Sequence, residues 1–245
     1  ANPTGPLSVA HGRQAAVGDV LASILQFLGY KVTREYYLND EGNQINILGK
    51  SIALRLKELQ GEKIDFPEDH YQGDYIIDLA KELLEAQQRQ NICRGRPCAC
   101  PITSEDCREH GVRRILEIIR KELEDFGVRF DSWYSQAVLQ KSGKIERVIA
   151  DLREKGFVYD QEGAVWFSST KFGDDKDRVI IKSDGAYTYL APAIAYHQDK
   201  FRRGFNRLIN LWGPDHHGYV PRMKAAVEAL GQSRDSLNVI IVQLA

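Results

Sequence analysis

The chain has 245 residues, 43% of them hydrophobic and 27% charged, and a formal net charge of −1. That length suits one large domain, or a core carrying an insertion, with ample apolar content for a packed interior. No apolar run approaches the ~20 residues that span a bilayer. The Asn-Pro start has neither a basic nor a hydrophobic leader segment, so no membrane anchor and no export are expected, and the expected location is cytoplasmic. The near-neutral charge excludes an obligate polyanion-coating protein while leaving room for a local basic patch that meets RNA.

The first segment, ANPTGPLSVAHGR, joins a turn-forming Asn-Pro-Thr-Gly-Pro run to a histidine, a glycine and the start of a helix. A helix N-terminus offers unpaired N–H groups and a partial positive charge, so the segment suits a phosphate. The spacing of Val17, Val20, Leu21, Ile24, Leu25 and Leu28 predicts a helix from Arg13 to Leu28, ended by Gly29. KVTREYYL reads as a strand over Lys31 to Tyr37, completing a strand-helix-strand unit whose first strand is expected to precede Ala1. Directly after it, YYLNDEGNQI places Asn39, Asp40, Asn43 and Gln44 beyond a strand's carboxyl end, where open α/β sheets bind ligands. The simpler reading of the same run is an Asx turn capping the next helix.

Helices are predicted near Asn46 to Glu58, Tyr71 to Gln90, Cys107 to Phe126, Lys144 to Lys155, Tyr189 to Phe201 and Pro221 to Leu230. Strands are predicted at Val128 to Tyr134, Phe157 to Phe167, Val179 to Lys182, Arg207 to Trp212 and Val239 to Leu244. This order suits a parallel α/β sheet, with residues 1–61 and 183–245 forming two parts of a core and 62–182 an inserted module. All four cysteines, Cys93, Cys98, Cys100 and Cys107, fall in one short segment whose C-x4-C-x-C-x6-C spacing is not a usual zinc pattern. A reduced, surface-exposed loop is the simpler reading; zinc, which would be structural, or a redox role are the alternatives.

Two late blocks are rich in polar residues at predicted strand and helix ends: KSDGAYTYLAPAIAYHQDKF from Lys182 and NLWGPDHHGYVPRMKAAVEAL from Asn210. In the second, a strand ends at Trp212, Gly213 permits close backbone approach, and Asp215, His216 and His217 open the next helix. No metal is assigned there, because three consecutive positions at a helix start rarely converge on one ion.

Four blocks in order, NPTGPLSVAH, YYLNDEGNQI, DGAYTYLAPAIAYHQDK and WGPDHHGYVPRMKAA, resemble the motifs of class I arginyl-tRNA synthetases. The resemblance covers nearly the whole chain. It implies an α/β fold: a Rossmann-type (HUP-like) parallel sheet with helices on both faces, carrying an inserted α+β module. The activity implied is arginine-tRNA ligation, in which arginine and ATP, bound with Mg²⁺ as a substrate complex, give arginyl-adenylate and pyrophosphate. The arginyl group then passes to the 3′-terminal adenosine of tRNA(Arg). No tightly bound cofactor is implied, and the expected state is a monomer.

The same resemblance implies roles for individual residues. Ser8 and His11 of the tetrapeptide Ser8-Val9-Ala10-His11, with the N–H groups around Gly12, would act on the α-phosphate, and Pro3, Thr4, Gly5, Asp215 and His216 join His11 at ATP. Asn2, Tyr189 and Asp215 would contact arginine, with Asn39, Asp40, Gln44 and His217 lining the site. Two positions depart from the family tetrapeptide, Ser8 where it has His and Ala10 where it has Gly. A third departure is Ala193, where the family has an acid four positions beyond the tyrosine. A buried guanidinium left unpaired costs on the order of 3 kcal/mol.

The lysine-rich KMSK-type loop, an N-terminal tRNA-contacting domain and a C-terminal anticodon-binding domain are expected outside these residues, so the chain alone is expected to be poorly active. Two alternatives stand beside the ligase. One is a divergent synthetase-like module that binds nucleotide or tRNA without catalysis. The other, a pantetheine-type adenylyltransferase, shares a histidine tetrapeptide but leaves YYLNDEGNQI and WGPDHHGYVPRM unexplained.

Overall fold

The structure is a computed structural model that describes residues 2–93 and 102–243, with the side chains of 90–93 outside the description. Its residues cluster into two compact units, one of Ala1–Gly12 with Tyr30–Tyr134, the other of Arg13–Gly29 with Ser135–Ala245. Helix α1 (Val9–Phe27) contributes its first residues to the first unit and the remainder to the second. No helix among the described residues is long and apolar enough to cross a membrane.

The first unit is built on three helices, α2 (Asn43–Leu59), α3 (Asp74–Cys93) and α4 (Ser104–Asp125), with the strands β1 (Glu35–Leu38) and β2 (Ser132–Ser135) paired beside them. Ile45, Leu48, Ile52 and Leu56 of α2 recur at helical spacing and are buried against Ile115, Ile119 and Leu123 of α4 and Ile76 and Leu79 of α3. Thr103 starts α4 through a capping box: its hydroxyl accepts from the Asp106 amide, and the Asp106 carboxylate accepts from the Thr103 amide. Close approach of α2 and α4 depends on Gly111, where a Cβ would stand 2.5 Å from Ile52 Cδ1. Tyr36 of β1 stacks on Trp133 of β2 at 4.6 Å, and the Arg120 guanidinium lies 4.5 Å from the Trp133 ring centre.

The second unit holds α5 (Gln136–Lys141), α6 (Lys144–Glu154), the antiparallel strands β3 (Val158–Gln161), β4 (Ala164–Phe167) and β5 (Arg178–Ile181), then α7 (Leu190–Arg202). It closes with β6 (Leu208–Trp212), α8 (Val220–Ala229) and β7 (Leu237–Ile241), where β6 and β7 are parallel and in register from Leu208↔Leu237 to Trp212↔Ile241. Burial is concentrated in Ile145, Val148 and Leu152 of α6, Leu190, Ile194 and Ala195 of α7, and the Ala225-Ala226-Val227 run of α8. The Asp174 carboxylate is buried beside Arg178 and Ser169, and its hydrogen bonds to them hold it down at about 2 despite burial, which acts the other way.

Three sequence expectations change. The single strand expected over 157–167 is a hairpin, because Glu162 and Gly163 both adopt positive φ, 53° and 74°, and reverse the chain between β3 and β4. The strands before it are shorter than their β-branched and aromatic runs, with β1 beginning at Glu35 rather than Lys31 and β2 at Ser132 rather than Val128. Helix α1 forms, four residues earlier than expected, yet Val20 is 57% exposed, Ile24 51% and Phe27 91%. Periodicity identifies an apolar face; it does not say what lies against it.

Candidate active site

In the first unit, a tight turn opens the chain: the Thr4 amide donates to the Asn2 carbonyl at 2.8 Å, and Pro3 is buried beneath it. The Asn2 side-chain amide donates to Gln44 Oε1 on α2, so two residues separated by forty-two positions share one hydrogen bond. Leu7 then donates through its amide to Glu122 Oε2 at 3.4 Å, and Val9 begins α1.

The start of α1 has a specific chemistry. The Ser8 amide donates to His11 Nδ1 at 3.0 Å, and Ser8 Oγ lies 2.9 Å from the same nitrogen. A backbone N–H can only donate, so Nδ1 carries no proton and the imidazole is neutral with its hydrogen on Nε2. Partial burial favours the same state by lowering the His11 pKa from 6.5. The Gly12 N–H donates to the Ser8 carbonyl at 3.1 Å as the first bond within α1. The amides that precede this bond, those of Val9, Ala10 and His11, are the helix-end donors. A Cβ at Gly12 would meet nothing within 4 Å, so its lack of a side chain leaves open space beside the helix.

Asn39 and Asp40 follow β1 and are partly exposed. The expected Asx cap on α2 is not made: Gly42 occupies the N-cap with φ 94° and no side chain caps the helix. Asp40 instead acts on its neighbour Tyr37, whose phenol is raised above its usual range first by burial and then by the Tyr134 and Asp40 charges.

The other expected residues lie in the second unit. Tyr189 precedes α7, and its hydroxyl accepts from Arg222 at 2.7 Å while its ring meets Tyr219 edge-on at 4.5 Å. Arg222 also covers the Tyr219 ring at 4.6 Å. Asp215, His216 and His217 do not open α8; they occupy a separate 3-10 turn, Pro214–Tyr219, and are exposed. The Asp215 carboxylate lies 3.0 Å from His216 Nδ1 and folds back over Gly213, so that a Cβ there would stand 2.6 Å from it and the exposed carboxylate would have to swing aside.

Comparison with known proteins identifies the family. Residues 2–242 match the family of class I (R) tRNA synthetases, catalytic domain. The chain belongs to the class I arginyl-tRNA synthetase family. The arginine-tRNA ligases of Desulfosudis oleivorans and Bacillus subtilis are each 52% identical to it over 244 residues, covering 100% of this chain and 43% of theirs. The chain thus spans less than half the length of these curated relatives. A solved chain from Campylobacter jejuni assigned to arginyl-tRNA synthetase superposes with a TM-score of 0.89 at 42% identity, over 100% of this chain and 53% of that one. The Thermus thermophilus arginyl-tRNA synthetase, at 20% identity and a TM-score of 0.69 over 99% of this chain and 47% of that one, shares the fold. The α/β architecture is therefore the Rossmann-like catalytic domain of the class I arginyl enzymes.

Within this synthetase domain, sequence reasoning missed His197. Ala193 O can only accept, so His197 Nδ1 donates to it at 2.7 Å, and Nε2 then accepts from Asn210 Nδ2 at 2.9 Å. The pair ties α7 to β6. Burial, and secondarily the Lys200 charge, lower the His197 pKa to about 3. The unfolded chain therefore binds a proton between pH 6.5 and 3 that the folded chain refuses, so this group's stability is complete above 6.5 and is lost as pH falls. His110, lowered by burial first, acts in the same direction. The slope of melting temperature against pH between 6.5 and 4.5 is expected to be shallower in His197→Asn than in wild type. Equal slopes would show that His197 does not carry it.

Of the cysteines, Cys107 is not in a surface loop but fully buried in the first turn of α4, where burial pushes its thiol up to about 11. Cys98, Cys100 and the side chain of Cys93 lie outside the described residues. Among the described residues no group of three His, Cys, Asp or Glu could hold a metal ion.

Proposed function

We propose that the full-length protein is an arginine-tRNA ligase. It activates L-arginine with MgATP to arginyl-adenylate and pyrophosphate and transfers the arginyl group to the 3′-terminal adenosine of tRNA(Arg). The observation that carries this reading is the continuous match of the family's catalytic domain across residues 2–242. A monomer in the cytosol is the form proposed.

In the activation step, an arginine carboxylate oxygen bonds to the α-phosphorus as the bond to the pyrophosphate oxygen breaks. Alignment and donors aimed at the phosphoryl oxygens are what such a displacement asks of a protein. His11 supplies Nε2–H, and the amides of Val9, Ala10 and His11 add the partial positive charge of the α1 terminus. By the family resemblance Pro3, Thr4, Gly5, Asp215 and His216 complete the proposed nucleotide contacts, and Gly12 stands with His11 as a candidate on the α-phosphate. Asn2 and Asp215 hold the amino acid, and Tyr189 lines the guanidinium pocket. Asn39, Asp40, Gln44 and His217 are assigned to the lining.

The test is ATP–pyrophosphate exchange by the full-length protein with its cognate tRNA present. Exchange that requires arginine and is not supported by lysine is the expected result. Ser8 and Ala193, at positions where the family carries histidine and an acid, favour one other reading, a nucleotide- or tRNA-binding module without catalysis. ATP binding with no exchange under any amino acid would select it.

A further inference from the structure

The Asn2–Gly5 turn is gripped by two helices of its own unit. On one side Asn2 bonds to Gln44 of α2. On the other, the Tyr75 hydroxyl in the first turn of α3 donates to the Thr4 carbonyl at 2.8 Å. The Tyr75 ring is also closely approached by two glycines. A Cβ on Gly5 would stand 3.1 Å from the hydroxyl oxygen and 3.3 Å from Cζ, and one on Gly73 would stand 2.7 Å from Cε1. Neither glycine has a left-handed backbone, so what these positions require is space beside the ring rather than an unusual φ. The next residue of α3, Ile76, is fully buried, as is Ala80, which anchors Tyr75 to the unit's core.

We infer that Tyr75 is a positioning residue for the nucleotide site: its hydroxyl and ring fix the Asn2–Gly5 turn that leads into the His11 end of α1. The inference rests on the reading of that turn as an ATP contact. A turn left free would have to be ordered each time nucleotide binds; a turn held in advance avoids that cost. Burial raises the Tyr75 phenol to about 12, so the hydroxyl keeps its proton and stays a donor throughout the working pH range.

The test uses Tyr75→Phe in the full-length protein, which removes the hydroxyl and keeps the ring. The KM for ATP in the exchange reaction is expected to rise about fivefold, the effect of one neutral hydrogen bond. The melting temperature should stay near wild type, and amide hydrogen exchange over residues 3–8 should quicken. Gly5→Ala should be less harmful in the Tyr75→Phe background than in wild type, because the atom nearest the added Cβ is the hydroxyl oxygen. Tyr159→Phe, which removes a hydroxyl bonded to Asp177 in the other unit, is the control and should leave the KM for ATP unchanged.

An unchanged KM for ATP with unchanged amide exchange overturns the positioning role while the ligase reading stands. A lowered melting temperature with unchanged KM also overturns it, reducing Tyr75 to a structural contact. If wild type binds ATP but shows no arginine-dependent exchange, the ligase reading fails separately; the Kd for ATP by calorimetry then takes the place of KM, with the same fivefold expectation. Wild type that binds no ATP overturns both.

Discussion

Replacing His11 with alanine is expected to lower the rate of arginine-dependent ATP–pyrophosphate exchange by about 10²–10³-fold, the range seen when a donor to a developing oxyanion is removed. The loss should fall on kcat more than on the KM for arginine, because the interaction strengthens as charge gathers on the phosphoryl oxygens. The structure adds a finer expectation. Since the Ser8 amide already occupies Nδ1, His11 acts as a neutral Nε2–H donor rather than as an imidazolium. His11→Gln, whose terminal amide can also place an N–H at the end of a planar group, should therefore recover part of the lost rate. Because burial lowers the His11 pKa and the neutral imidazole is the working form, acidification should not raise the wild-type rate as far as this group is concerned. A rate that climbs as pH falls below 6.5 in wild type, and does not in His11→Gln, would show that the charged form does the work.

The second large effect is a gain. Ala193→Asp is expected to raise kcat/KM for arginine by about 10²-fold, the value of a charge-assisted hydrogen bond of 1.5–3 kcal/mol. Position 193 lies one helical turn beyond Tyr189, so the two residues share a face of α7. A carboxylate there also meets the favourable end of the helix dipole. Ala193 is partly exposed while Pro192 and Ile194 are buried, so the new side chain would enter from the accessible side of the helix. A guanidinium offers five donors and no acceptor, and a planar carboxylate answers it in a way that discriminates against lysine. The competing partner is Arg222, which already donates to Tyr189 and has a buried Nε without a hydrogen-bond partner. If the aspartate pairs with Arg222 instead, the variant will melt higher than wild type with no improvement for arginine. That outcome would remove position 193 from the substrate pocket.

Much of this protein was legible in its sequence, for local reasons. The buried positions of α2, α4 and α6 recur every three or four residues, and that period reports a helix whatever surrounds it. Gly29 and Gly231 both take positive φ just past helices, as residues that end a helix often do. The family, too, was readable, because four polar blocks in fixed order are far more specific than any one of them.

What the sequence could not state depends on contacts between distant residues. The turn at Glu162-Gly163 lacks the strongest hairpin dipeptides, so one apolar-aromatic run concealed two strands. Nothing near position 11 announces that the Ser8 amide will donate to Nδ1 and so fix the tautomer, a consequence of the helix placing residues 8 and 11 one turn apart. The His197–Asn210 bond needs α7 laid against β6, and the Tyr75–Thr4 bond joins residues seventy-one positions apart. Composition and periodicity set which segments coil, extend and turn, because those preferences act over a few residues. The tautomer of a histidine, the partner of a carbonyl and the neighbour that forbids a Cβ are set by distances across the chain, and only the folded molecule decides them.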